Sequence, residues 1–296
     1  MIHPALEGGD FPGIVSPVLQ TQAGTLYLIR PGVQLIARPQ ISPDALSAFL
    51  HGFDPETHLT DALTDPVVLP PGAALSKTAG QLCYMSFGPK RTPNAEAQRY
   101  FQNILTSGHG SVLEHASYSF LFYGVSRSVT HELVRHRAGF AFSQVSQRYV
   151  SRQVLRFVER PEFQDGGRLH RQFVERIDRI AQAYSDLQNQ LAQLQQEGDS
   201  RLTAERVTER RKRIQQAARA LLPNETEAPI VATANVRAWR HFIEARASAH
   251  ADVEIRVLAW YVLLCLRQVE PILFGDYQET PLPDGTVAVS TPTPKV

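Results

Sequence analysis

The chain has 296 residues, 43% of them hydrophobic and 20% charged, with 30 Lys and Arg against 29 Asp and Glu. That composition excludes a disordered polymer, and a net charge of +1 excludes a global basic field for wrapping nucleic acid, so any anion site must be built from local charge. The two cysteines, Cys83 and Cys265, fit no zinc or CxxC spacing, and the N-terminus has no basic-then-apolar leader, which points to a reducing cytoplasm.

In chain order, residues 1–23 are rich in Gly and Pro without periodicity and read as a loose arm. Segments 25–29 and 33–37 flank Pro31-Gly32 and predict a β-hairpin. Apolar spacing predicts helices near 43–51, 72–86 and 94–107, then an aromatic strand over 116–123 closed by Gly124. Between them, Ser107-Gly108-His109-Gly110-Ser111 lacks the rest of a P-loop and reads as a turn. A helix from about Ser126, its N-cap, to His136 delivers Arg135, His136 and Arg137 at its C-terminal end, where cations suit the helix dipole. Further on, Phe173, Ile177, Ile180, Tyr184, Leu187, Leu191 and Leu194 alternate in steps of four and three, a heptad seam that packs rather than catalyses. A partner helix over 207–221, stopped by Pro223, completes an antiparallel hairpin. Helices over 235–248 and 250–273 follow, and the last twenty residues, with Pro281, Pro283, Pro292 and Pro294, read as tail. The most apolar run, 257–266, is too short for a bilayer and is bracketed by Arg256 and Arg267, so it belongs to a buried helix.

The densest chemistry lies in 135–149, Arg-His-Arg through Ser146-Gln147-Arg148-Tyr149, which contains no lysine. Arginine forks match phosphate oxygens and uracil-type carbonyls in a bidentate way that lysine cannot, so the segment points to a nucleotide site. His131 and His136 resemble a zinc-protease pair but stand five residues apart, about 500° around a helix, which separates the rings. No metal is expected. Ser146 has no nucleophile-elbow framing, and Cys83 and Cys265 sit in apolar stretches that favour inert, buried thiols. Arg237 and Arg246 are nine residues apart, about half a turn around, and so contact different groups.

These residues together resemble the flavin-dependent thymidylate synthases. The family's Arg-His-Arg, seven residues, Ser pattern is met by Arg135-His136-Arg137 and Ser146 with one residue inserted. Glu114-His115, the run Arg219 to Pro223, and the run Asn235 to Arg256 match further motifs, so the resemblance spans roughly 75–275. It implies an α+β fold, a mixed or antiparallel sheet surrounded by helices, with a long helical hairpin at 168–222 and a homotetrameric assembly. It implies a catalytic domain over 71–275 between an extension over 1–70 and a Pro-rich tail over 276–296. It implies dUMP contacts from Glu132, Arg135, Gln144, Ser146, Arg148, Arg219 and Arg246, of which Arg135, Ser146 and Arg246 act in catalysis. Flavin contacts are implied for Ser86, His115, Ser117, His136, Arg137, Asn235, Arg237 and His241. The implied reaction converts dUMP to dTMP with FAD as hydride carrier and NADPH and 5,10-methylenetetrahydrofolate as co-substrates. Two readings of other classes stand beside it: a nucleic-acid-binding protein using the Arg/aromatic segment, and a helical assembly module without catalysis.

Overall fold

The computed structural model describes residues 3–149 and 155–294. Its centre is β5 (Ser117–Tyr123), where Tyr118, Phe120 and Phe122 are fully buried on one face, as the aromatic alternation predicts. Around it runs a five-stranded antiparallel sheet in the order β1 (Gly13–Ile14), β4 (Gly32–Ala37), β5, β8 (Ile230–Asn235), β6 (Phe140–Gln144). α7 (Val236–Arg246) starts where β8 ends, so Asn235 is both the last strand residue and the helix N-cap, accepting from Ala238 N at 2.9 Å. Trp239 of α7 packs on Phe120 and donates to Tyr118 O. α8 (Val253–Val269) contains the 257–266 run and is enclosed along almost its whole length. No helix among the described residues is long and apolar enough to cross a membrane.

Two buried carboxylates tie other helices to α8. Glu254 accepts from Ser126 N and Oγ and so fixes the start of α4 (Arg127–Leu133). Glu270, whose pKa is raised by burial, accepts from Gly72 N and Ala73 N at the start of α2 (Pro71–Cys83) and from Tyr118 Oη. Buried acceptors this well satisfied hold α2 and α4 rigidly relative to the sheet.

A second, smaller sheet joins β2 (Val18–Gln20), β3 (Leu26–Leu28) and β7 (Arg156–Val158), the last pair parallel. On it α5 (Arg168–Gln196) docks Phe173 and Ile177 against Tyr27 and Phe157. The heptad seam therefore has two fates. Its first residues fill this second core, and its C-terminal half faces α6 (Val207–Ala218), with Gln195 Nε2 donating to Arg210 O at 3.0 Å.

Several sequence expectations are corrected. The hairpin across Pro31-Gly32 does not form: β3 and β4 go to different sheets, and the tight turn lies one step earlier, between β2 and β3, where Gly24 takes φ +93°. Within the 1–23 arm, Gly13–Ile14 and Val18–Gln20 are strands, and Ile14 is buried in the main core. Residues at the C-terminus form a hairpin of β9 (Gln278–Pro281) and β10 (Val287–Ser290), with Val287 and Val289 in the main core. α4 ends at Leu133, three residues before His136. Cys83 is exposed at the end of α2, while Cys265 is buried and its thiol is pushed up to about 12 by desolvation.

Candidate functional site

The short α4 ends just before Arg135-His136-Arg137, and α7 presents His241 and Arg246 on the turns facing that segment. Arg246 Nη1 donates to Glu132 Oε2 at 2.7 Å, and its Nε donates to His136 Nε2 at 3.0 Å. A ring nitrogen that accepts from a guanidinium carries no proton, so His136 is neutral with its proton on Nδ1. Burial first, then the Arg246 and His241 charges, lowers its pKa to about 4. The ring is wedged against His241, Phe140 and Phe242 at centroid distances of 5.6, 6.0 and 5.3 Å. Arg246 is thus a fixed cation, still partly open to solvent, with a carboxylate on one side and a neutral imidazole on the other.

From His241 the surface opens into a pocket of about 570 Å³ lined by Glu114, Ala138, Gly139, Asn235, Arg237, Ala238, His241 and Pro294. Arg237 Nη1 donates to Glu114 Oε1 at 2.6 Å. Ser117 is paired in register with Asn235, and His115 lies exposed two residues earlier. The turn at Ala138-Gly139 forms the rim. Gly139 has φ +74°, and a Cβ there would meet Ala238 Cβ at 2.9 Å and the Asn235 amide at 3.0 Å, so the close approach of this turn to the start of α7 requires glycine. A helix N-terminus, an arginine, a histidine and small apolar residues line one concavity, and this donor set fits a dinucleotide's pyrophosphate and rings.

Eight of the fifteen expected site residues fall at this end of the sheet: Glu132, His136 and Arg246 in the first cluster, and His115, Ser117, Asn235, Arg237 and His241 around the pocket. Arg135 and Arg137 project exposed from the connection between them. The other residues are not brought there. Gln144 is the far residue of β6, opposite Ile230, about 13 Å along the strand from Phe140. Ser146 Oγ accepts from Arg148 N beyond it, and the neighbouring Tyr149 ring lies 5.2 Å from Lys212 Nζ of α6. Arg219 sits exposed in the 3-10 turn that follows α6. Arg148 Nε is buried without a hydrogen-bond partner among the described residues. Ser86 is held after α2 by reciprocal bonds with Gln81 and does not line the pocket.

Sequence reasoning missed Gly139, Ala238 and Pro294, and took Glu114 only as part of a motif. The first two had a visible signal, a glycine after Arg-His-Arg and a small residue in the first turn of α7. Pro294 had none. Among the described residues no three His, Cys, Asp or Glu side chains are grouped to hold a metal ion.

The family model described as thymidylate synthase complementing protein matches residues 68–272. A flavin-dependent thymidylate synthase of Mycolicibacterium gilvum is 48% identical over 222 residues, 75% of this chain and 86% of that protein. One from Mycobacterium tuberculosis is 47% identical over 221 residues, with the same coverage. Among solved structures, the UMP/dUMP methylase PolB from Streptomyces cacaoi, bound with 5-Br dUMP, has a TM-score of 0.54 at 19% identity, covering 83% of this chain and 94% of that one, a likeness of fold.

Proposed function

Since this chain belongs to the thymidylate synthase complementing protein family, we propose that it is an FAD-dependent thymidylate synthase, a methyltransferase that makes dTMP from dUMP. The observation that carries the reading is the continuity of the two half-sites: His241 lines the dinucleotide-sized pocket and its ring contacts His136, which in turn accepts from Arg246. A ligand ring in the pocket and a pyrimidine beside Arg246 would be neighbours.

In this reading Asn235, Arg237, His241 and the N-terminus of α7 hold the flavin, with His115, Ser117 and Arg137 at the rim and Ser86 reaching it from a neighbouring chain. When bound, FAD reduced by NADPH supplies the hydride, and 5,10-methylenetetrahydrofolate supplies the one-carbon unit for C5 of dUMP. The protein's own work is orientation and charge. Arg246, with Arg135, faces the uracil carbonyls and stabilises the negative charge that develops on them, and Glu132 keeps the Arg246 fork in one plane. A neutral His136 adds no second cation to compete for that charge. Ser146, Gln144, Arg148 and Arg219 are the remaining dUMP contacts, Ser146 in the catalytic set with Arg135 and Arg246, and contacts remote from the reacting carbon spend binding energy on positioning the ring.

Those four residues lie at the opposite end of β6 from Arg246, so a second copy of the chain supplies them, as in a homotetramer. Residues 71–275 are the catalytic unit, working in the cytoplasm. The test is tritium release from 5-tritiated dUMP with FAD, NADPH and methylenetetrahydrofolate. A flavin-loaded protein that releases none would overturn the assignment.

A further inference from the structure

The segment after β10 is anchored by a buried polar knot. Arg240 of α7, only 4% exposed, donates to Leu273 O at 2.6 Å and grips Asp276 with both Nη atoms at 2.7 Å. Arg240 Nη2 also reaches Thr293 Oγ1 at 3.1 Å. Asp276 Oδ2 accepts from Thr291 Oγ1 at 2.5 Å and from Thr293 Oγ1 at 3.1 Å, and Thr293 N donates to Thr291 Oγ1. Just upstream, Val289 N donates to Ala247 O at 2.8 Å, so β10 is pinned to the end of the same helix. One residue past the knot, Pro294 lines the pocket formed by Gly139, Asn235, Arg237 and His241.

We propose that residues 291–294 form a strap that supplies one wall of the flavin pocket, with Pro294 a positioning residue for the bound cofactor and Arg240–Asp276 its anchor. The inference rests on the flavin reading of this pocket, and the strap itself lies outside the 68–272 span of the family match. The chemistry suits a ring. Proline has no N–H to satisfy and a fixed φ, so beside Ala138, Gly139 and Ala238 it offers a stiff apolar surface for a flat heterocycle, while the phosphate donors lie on α7. Because the knot orders the strap before any ligand arrives, the wall costs little conformational entropy on binding.

Deleting residues 291–296 leaves Asp276 and Leu273 O on Arg240, so the core stays closed. FAD affinity is read by flavin fluorescence quenching on the assembled protein, beside the melting temperature without flavin, for the deletion and for Pro294→Gly. The expected result is a loss of roughly tenfold in FAD affinity, mainly through faster dissociation, with the flavin-free melting temperature of Pro294→Gly unchanged. Should the deletion also melt earlier, Pro294→Gly decides, since it leaves the knot intact. Parental affinity in Pro294→Gly, or tighter binding in the deletion, overturns the strap while leaving the flavin reading standing. A parent chain that takes up no FAD removes that reading and the strap with it.

Discussion

Arg246 is held from two sides, by the Glu132 carboxylate and by an imidazole that accepts rather than donates, and this asymmetry fixes the protonation state of His136. The unfolded chain takes up a proton on this ring near pH 6.5, whereas the folded chain refuses it down to about 4. The stability gained by keeping the ring neutral is full above the unfolded pKa and is lost as pH falls through that window. Replacing His136 with Asn is therefore expected to flatten the pH dependence of the melting temperature between those limits. An unchanged slope in the variant would show that His136 titrates normally. For Arg246 itself, losing a charge-assisted pair to an anionic or carbonyl-rich ligand costs about 1.5–3 kcal/mol, so Arg246→Ala is expected to weaken dUMP binding by roughly ten- to a hundredfold. Calorimetry checks it, and Arg246→Lys is expected to recover only part because the bidentate geometry is lost. A dUMP affinity in Arg246→Ala equal to the parent's would take this residue out of the site.

Among elements, those whose pattern is local were legible and those made by distant pairing were not. The aromatic alternation of β5 states its own buried face, the heptad seam of α5 does so at Phe173, Ile177 and Tyr184 while Leu194 at its end stays exposed, and both helices of the 168–222 hairpin follow from spacing alone. The pairing of β3 with β7 is parallel and joins Leu26–Leu28 to Arg156–Val158, which no local period encodes. The same limit hid the C-terminal hairpin: its prolines suggested a tail, yet Val287 and Val289 alternate into the core only because α7 and α8 offer a face for them. Around the pocket and Arg246, His136, Arg237 and His241 were visible from their types and spacing, whereas Pro294 reaches the pocket through the C-terminal hairpin and the Arg240–Asp276 knot, which join distant segments. That knot carries an element-scale expectation. Asp276→Asn leaves a guanidinium buried without its counter-charge, a change that costs about 3–5 kcal/mol in comparable pairs. Urea unfolding would detect it as a lower midpoint with an unchanged slope. A variant as stable as the parent would show that the C-terminal hairpin is held by its apolar face only.

At the scale of the whole molecule, the proposed function divides the expected dUMP contacts of one chain into two groups. Arg246 and its partners sit at the end of β6 that begins with Phe140, whereas Ser146 and Arg148 lie beyond the other end, where the adjacent Tyr149 ring approaches Lys212 of α6, and Arg219 follows that helix. Buried Arg148 Nε lacks a partner among the described residues. Neither the nucleic-acid reading nor the bare assembly module accounts for this division, since a basic groove would run continuously, and the first half of the α5 seam is consumed within the chain itself. A shared site makes a quantitative demand. Arg148→Ala and Arg246→Ala chains should each be nearly inactive as pure assemblies. When the two are unfolded together and refolded at equal ratio, a site that draws one half from each of two chains is intact only where its Arg246 half comes from an Arg148→Ala chain and its Arg148 half from an Arg246→Ala chain. Random mixing then restores roughly a quarter of parental activity. Light scattering confirms that mixed and pure samples have the same oligomeric mass, and tritium release reads the activity. Mixed oligomers of full mass with no more activity than the separate variants would mean that each chain binds dUMP with its own residues, and the division of the site across two copies would be wrong.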